Sequence, residues 1–302
     1  MSPALEEAAG REIYRLSGAG NDFLALPAPE RPPDPREIRA WCTRGLSLGA
    51  DGVFTLEPAG TGRVRMVHYN ADGGEAALCL NGTRCAARLA FELGWATGDR
   101  VTVETGAGAL AARRLDATGV ALEAPLPTRE PARFAPDVDG RPWPGWAVTV
   151  GVPHFVLFWP DGTGSAGGRA TEPSGDLAEA PVVELGARLR RHPVFGEAGA
   201  NVDFVRVTGP GSLAIRSFER GVEGETLACG TGVLAAVAAG LAEGVLRFPV
   251  DALTRGGLVL RVEGEAKDDG RLVRWSLAGD ARLLAHGRVL PEATRLPGLS
   301  AP

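Results

Sequence analysis

The chain has 302 residues, 44% of them apolar, and a formal net charge of −5. That length suits one large domain or two of ordinary size. No basic run points to nucleic acid, and no apolar run reaches the roughly 18 residues of a membrane span, so neither is an expected partner. The acidic start, Met1–Gly10, lacks a signal peptide's apolar core. A cytoplasmic, reducing setting is therefore expected, with Cys42, Cys79, Cys85 and Cys229 as thiols.

Along the chain, residues 13–26 read as strand and carry Gly18-Ala-Gly20-Asn21-Asp-Phe23. This is half of a dinucleotide fingerprint: Phe23 replaces the third glycine, and a further strand follows where a helix is needed. Asp34-Pro35 caps a helix through Trp41 and Cys42 that Gly45 ends. Gly45-Leu-Ser47-Leu-Gly49 has the spacing of a nucleophile elbow, but it leaves a helix and enters an Asp51-Gly52 turn, the reverse of the elbow's context. Strands are expected at 53–56, 64–69, 101–104 and 120–123.

Pro-rich 125–144 reads as the crossover to a second half with strands at 146–150, 154–159, 202–207, 213–219, 258–262 and 272–277. A helix is expected over 182–191, preceded by a Gly/Ser-rich mobile loop at 161–174, and the tail after Leu290 should be irregular. The fold class is α+β: two pseudo-symmetric halves, each a strand-rich layer around a central helix. The N-terminal lobe is placed at 11–125, completed by a C-terminal strand near 283–291, and the C-terminal lobe at 126–282.

The most telling feature is a repeat. Glu75-Ala-Ala-Leu-Cys79-Leu-Asn-Gly82 and Glu225-Thr-Leu-Ala-Cys229-Gly-Thr-Gly232 share a Glu, a Cys and a Gly at the same spacing, 150 residues apart. Each Cys precedes a run of small apolar residues that reads as a buried helix. A helix N-terminus lowers a thiol pKa and offers N–H groups to an anion. Two such thiols, one per half, could move a proton from one face of a carbon to the other. Cys42 and Cys85, by contrast, read as core packing.

Polar residues gather around these segments. Asn21, Asn70 and Asn201 stand at strand ends, where turn chemistry is the alternative to ligand binding. Glu219-Arg220 ends a strand before Cys229 and could meet an ammonium and a carboxylate, or be a solvated pair. His154, after Gly151-Val-Pro153, reads equally as a core, capping or catalytic histidine. Lys267, the only lysine, lies in an expected hairpin turn, a poor place for a Schiff base, so no pyridoxal phosphate is expected. With no Cys-x-x-Cys or His-Glu-x-x-His, neither is a metal.

Taken together, these segments resemble the diaminopimelate epimerase family. The matching pieces are Ser17-Gly-Ala-Gly-Asn-Asp-Phe23, Gly49-Ala-Asp-Gly52, Asn70-Ala-Asp-Gly-Gly-Glu75 and Cys79-x-Asn-Gly-x-Arg-Cys85. They continue as Gly151-x-Pro-His154, Asn201-Val-Asp-Phe204, Glu219-Arg-Gly221 and Glu225-Thr-x-Ala-Cys-Gly-Thr-Gly232, in family order. The resemblance implies a site in the cleft between two lobes, a cytoplasmic homodimer without cofactor, and a place in lysine and peptidoglycan-precursor synthesis. It makes Cys79 and Cys229 the acid/base pair that converts LL- to meso-diaminopimelate, with Cys79 taking the proton from the LL isomer. Asn21, Asn70, Asn201, Glu219 and Arg220 become substrate contacts. The backbone N–H groups of Leu80, Asn81, Gly230 and Thr231 become the cradle for the α-carboxylate. His154 and Glu219 help set the thiols' protonation.

Three positions depart from the family. Leu80 replaces a usual glycine and would be strained if that position needs φ > 0. Val152 stands where many members place an asparagine that contacts the substrate's distal end, and Glu223 is an extra residue relative to the shortest family form. Another isomerase of the same fold (proline racemase-like or phenazine-pathway-like) and a thiol-disulfide switch are the alternatives.

Overall fold

A computed structural model of the chain describes residues 10–159, 176–267 and 271–296. The expected loop at 161–174 lies outside them. The chain divides into two compact units, one running to Leu122 and resuming at Gly279, the other Glu123–Ala278.

The first unit opens with a hairpin, β1 (Arg11–Gly18) and β2 (Asn21–Pro27). Residues 13–26 are thus two strands, because Ala19 and Gly20 both take positive φ (53° and 94°) and reverse the chain in two residues. Helix α1 (Pro35–Cys42) is closed at its start by a capping box between Asp34 and Glu37. β3 (Gly52–Pro58) then pairs parallel with β2, and β4 (Arg63–Asn70) pairs antiparallel with β3. A two-residue strand β5 (Glu75–Ala76) leads into helix α2 (Leu80–Glu92), and β6 (Arg100–Thr105), β7 (Gly108–Arg114) and β8 (Gly119–Glu123) complete the run. The C-terminal strand Arg282–Val289 pairs with β1. Eleven residues of α2 are buried, since strands β1 to β4, β6 and β7 surround it. A helix buried on nearly every face must be small and apolar, as Ala86, Ala87, Leu89 and Ala90 are.

The second unit repeats the plan. Short strands β9 (Ala132–Phe134), β10 (Asp137–Val138) and β11 (Arg141–Pro142) occupy the Pro-rich stretch read as crossover. β12 (Gly145–Val150) and β13 (Val152–Phe158) form a hairpin, turning at Gly151. After α3 (Val182–Arg190), β14 (Asn201–Gly209) pairs parallel with β13, and β15 (Ser212–Glu219) antiparallel with β14. β16 (Gly224–Thr226) leads into α4 (Gly230–Glu243), which β12, β13, β14 and the later strand 259–266 flank. The strands β17 (Val250–Leu253), β18 (Val259–Ala266) and β19 (Leu272–Asp280) follow. An aromatic core of Trp143, Phe155, Trp159, Phe204 and Phe218 packs on α3.

The α+β class stands. β7, β17 and the two-residue strands carried too little alternation to be read from sequence, and the tail holds a 3-10 turn, Pro291–Thr294, where irregular chain was expected. Among the described residues, no helix is long and apolar enough to cross a membrane.

Candidate active site

In the first unit, Cys79 is the N-cap of α2, and its sulfur accepts the Gly82 N–H at 3.4 Å. The thiol thus sits against the positive end of a 13-residue helix. Behind it runs a directed chain of hydrogen bonds. Arg84 Nη2 donates to Asn81 Oδ1 at 2.7 Å, Asn81 Nδ2 donates to Asn21 Oδ1 at 2.6 Å, and Asn21 Nδ2 donates to Asp51 at 3.0 Å. Each amide is fixed in orientation by a partner of known sense. Asp51 also accepts from Arg44, which with Arg15 holds Asp22. Burial pushes the Asp22 carboxyl up, but Arg44 and Arg15 outweigh it and hold it below the usual range. Gly18 rests on this assembly: a Cβ there would lie 2.7 Å from the Asn81 carbonyl and 2.9 Å from Cys85 Sγ.

Asn70 ends β4 and is exposed; its backbone closes the turn to Gly74 through bonds of 2.9 Å with Gly73 and Gly74. Beneath α2, His68 is 7% exposed, with its Nδ1 buried and unpartnered. It stands edge-on to Phe23, and burial pushes its pKa down to about 4.

In the second unit, Cys229 is the N-cap of α4, and its sulfur accepts the Gly232 N–H, again at 3.4 Å. Thr231 Oγ1 lies 3.5 Å from that sulfur. Three buried polar groups lie underneath: His154 Nδ1 is 2.7 Å from Asp203, and Ser217 donates to Asp203 at 2.6 Å. A carboxylate only accepts, so His154 carries its proton on Nδ1. Its Nε2 is buried without a partner. Glu219 accepts a short hydrogen bond from Thr226 and interacts with Cys229. Burial pushes the Glu219 carboxyl up, against the hydrogen bonds from Thr226 and Cys229. The Cys229 thiol is pushed well up by burial, then by Glu219 and Asp203. The expectation that a helix start lowers a thiol pKa therefore fails at Cys229, where desolvation and two acids win. Asn201 Oδ1 accepts the Arg220 N–H at 2.8 Å, which fixes the sense of the amide and the bend after Glu219.

The two units place opposite chemistry at matching positions. Phe23 and His154 are each third in the second hairpin strand; Phe54 and Asp203 are each third in the next strand. His68 and Ser217 are each two residues before the end of an eight-residue strand. An aromatic Phe23–Phe54–His68 group underlies one helix, and a hydrogen-bonded His154–Asp203–Ser217 group the other. Sequence reading passed over Asp203, Arg84 and His68. Asp203 stands in the quoted Asn201-Val-Asp-Phe204 segment, but only the strand register brings it to His154.

Residues 13–122 and 146–283 match the family described as diaminopimelate epimerase. The chain belongs to the diaminopimelate epimerase family. A curated diaminopimelate epimerase of Archaeoglobus fulgidus is 36% identical over 265 residues, covering 82% of this chain and 88% of its own. That of Gemmatimonas aurantiaca is 34% identical over 291 residues, covering 92% and 98%. Among solved structures, a Bacillus anthracis phenazine biosynthesis protein of the PhzF family superposes with a TM-score of 0.65 at 13% identity, covering 93% of this chain and 99% of that one. A probable proline racemase from Agrobacterium radiobacter gives 0.64 at 17% identity, covering 94% and 95%. At such identities these two speak to the fold alone.

The structure bears on this family member's three departures. Leu80 is the first residue of α2 and is absent from the positive-φ residues, so the strain expected of it does not arise; it is 2% exposed. Glu223 takes φ 55°, and its carboxylate accepts from Arg190, Arg191 and the Gly221 N–H. The extra residue is thereby taken up in the turn, leaving Glu219 at the strand end. Val152 begins β13 as Asn21 begins β2, so one hairpin presents an amide and the other an isopropyl group.

Proposed function

We propose that the protein epimerises LL-diaminopimelate to meso-diaminopimelate by a two-base thiolate/thiol mechanism without pyridoxal phosphate. The observation that carries the reading is the pair of N-cap cysteines, Cys79 and Cys229, each bonded through sulfur to the third N–H of a buried helix. The α-proton of an amino acid is very weakly acidic, so the developing charge must be met by preorganised donors, as in an oxyanion hole. The leading N–H groups of α2 and α4, at Leu80, Asn81, Gly230 and Thr231, are the proposed donors to the α-carboxylate. Lys267 is exposed at the end of β18, which suits chemistry without a Schiff base.

In this reading Cys79 removes the α-proton of the LL isomer, and Cys229 delivers one to the opposite face. The Asp203–His154 pair and Glu219 keep a proton available at Cys229. Asn21, Asn70, Asn201 and Arg220 bind the substrate's polar ends. Two anionic thiols at one carbon would repel, so one shared proton is the working state. The family resemblance supports a cytoplasmic homodimer, which sedimentation equilibrium tests.

The deciding experiment is ¹H NMR of LL-diaminopimelate incubated with the protein in D₂O. The meso isomer should appear and gain deuterium at Cα well before the recovered LL substrate does. Equal early labelling of both pools would mean a single base, and no conversion would remove the reading altogether.

A further inference from the structure

The chain of 302 residues holds only four side-chain amides, Asn21, Asn70, Asn81 and Asn201, and no glutamine. Two of them, Asn21 and Asn81, are bonded to each other. An amide can sit either way round, so its sense is set by its neighbours. Here both ends set it alike. Arg84, which can only donate, gives Nη2 to Asn81 Oδ1 at 2.7 Å. Asn81 Nδ2 donates to Asn21 Oδ1 at 2.6 Å, and Asn21 Nδ2 donates at 3.0 Å to Oδ2 of Asp51, a carboxylate that only accepts. A run of bonds from a cation to a carboxylate polarises each member in the same sense.

Asp51, the residue before β3, is itself firmly held. Its N–H donates to the Asp22 carbonyl at 2.9 Å, and its Oδ2 accepts the Asp22 N–H at 3.2 Å beside Asn21 Nδ2. Its Oδ1 accepts from Arg44 at 2.7 Å, and Arg44 also bonds Asp22. One carboxylate thus joins the entry of β3 to the first two residues of β2, and Asn81 joins both to the first turn of α2. The half-buried Asn21 amide is left with one Nδ2 hydrogen and one Oδ1 lone pair. In the second unit the positions matching Asp51, Asn21, Asn81 and Arg84 are Ala200, Val152, Thr231 and Leu234, without an amide or a charge. Only Thr231 is polar, and its hydroxyl lies against Cys229 Sγ. The whole run is present at one helix start and absent from the other.

We propose that Asp51 is a positioning residue for substrate binding: it holds the Asn21 amide in one sense and one place and, through Asn81, ties it to the helix start that carries Cys79. This rests on the reading of Asn21 as a substrate contact and deepens it by naming what orients that contact. Asn21 then meets its ligand already oriented, so no rotamer has to be fixed at the moment of binding.

The test has two arms. In steady-state epimerisation of LL-diaminopimelate, Asp51→Ala should raise KM by about 5–20-fold and lower kcat less. Asp51→Asn gives up the charge but keeps an oxygen for Asn21 and Asp22, and should stay within about threefold of wild type. In the Asn21→Ala background Asp51→Ala should add less than about twofold, because the group it positions is gone. An unmoved KM in folded Asp51→Ala overturns the inference. So does a full effect that persists without Asn21, or an Asp51→Asn as impaired as Asp51→Ala. The second arm needs no substrate. A ¹H–¹⁵N spectrum contains only four side-chain amide pairs, each assigned by replacing its asparagine with alanine. The Asn21 and Asn81 pairs should both shift in Asp51→Ala, and in wild type the Asn21 hydrogens should exchange with solvent more slowly than those of the exposed Asn70. An Asn21 pair that exchanges as fast as that of Asn70 overturns the inference even if Asp51→Ala does not fold. A protein without turnover whose amide pairs behave as stated would sink the epimerase reading and spare the orientation of Asn21 by Asp51.

Discussion

Asp203 leaves no room for a side chain at Gly232: a Cβ there would stand 2.4 Å from Asp203 Oδ1. The matched Gly82 is roomier, since its Cβ would meet the mobile Cε of Met66 at 3.1 Å. Both glycines occupy the third position of a helix, where alanine gains about 1 kcal/mol of helix propensity. Gly82→Ala should therefore stay within about 1 kcal/mol of wild type in urea denaturation. Gly232→Ala should lose about 1–3 kcal/mol by overpacking and displace Asp203 from His154, with a severe loss of turnover. Equal effects at the two sites would show that the buried carboxylate is not what holds Gly232.

His68 gives stability a pH dependence of definite sign. Its pKa falls from 6.5 to about 4 through burial alone. Between those values the unfolded chain binds the proton and the folded chain does not, so stability is complete above about pH 6.5 and declines as pH falls. The full loss is roughly 3 kcal/mol, of which about 2 kcal/mol is reached by pH 5. His68→Leu should flatten this part of the curve. Urea midpoints at pH 7.5 and pH 5 that fall equally in both proteins would rule it out.

Asp203→Asn keeps the shape of the buried group but not its charge. Its amide can donate toward His154 Nδ1, which would drive the ring proton to Nε2 and reverse the tautomer. Turnover should fall by about 10–100-fold or more while thermal unfolding shifts little. Near-normal turnover would mean that His154 acts without Asp203, in conflict with their 2.7 Å contact.

Much of this site was legible before any coordinates, and the reasons are physical. A thiol at a helix start leaves a local signature, a Cys followed by a glycine and an apolar run, and both cysteines are indeed N-caps. Strand ends are also local, so Asn70, Asn201 and Glu219 were placed correctly along their strands, whereas Asn21, the first residue of β2, lay inside the span 13–26 read as one strand. What lies beneath the thiols is not local. Asp203 meets His154 across 49 residues only because β13 and β14 pair in parallel, with His154 opposite Asn201 and Asp203 two residues further along the neighbouring strand. Arg84 was passed over, since nothing local marks a charged residue of a helix as buried and charge normally lies on a solvated face. The hairpin turn at Ala19-Gly20 was hidden for a related reason, because an alanine at φ 53° has no turn signal of its own.

The four cysteines give the sharpest division between chemistry and packing. Cys79→Ser and Cys229→Ser should each nearly abolish epimerisation while leaving the fold intact, because a serine hydroxyl is far too weak an acid to replace a tuned thiol. Cys42 is 6% exposed and its thiol is pushed up to about 12, chiefly by burial, so it is neutral at every working pH. Cys85 is 0% exposed and fills the space under Gly18. Serine at either position buries a hydroxyl, at about 1–3 kcal/mol, and should leave the chemistry in place. Arg220→Ala should instead raise KM more than it lowers kcat, since it removes a planar fork suited to a carboxylate while Asn201 still holds the backbone bend. Turnover of the five variants is to be compared at equal folded fraction. Should Cys85→Ser prove as inactive as Cys229→Ser, or Cys79→Ser keep near-wild-type turnover, the acid and base lie elsewhere.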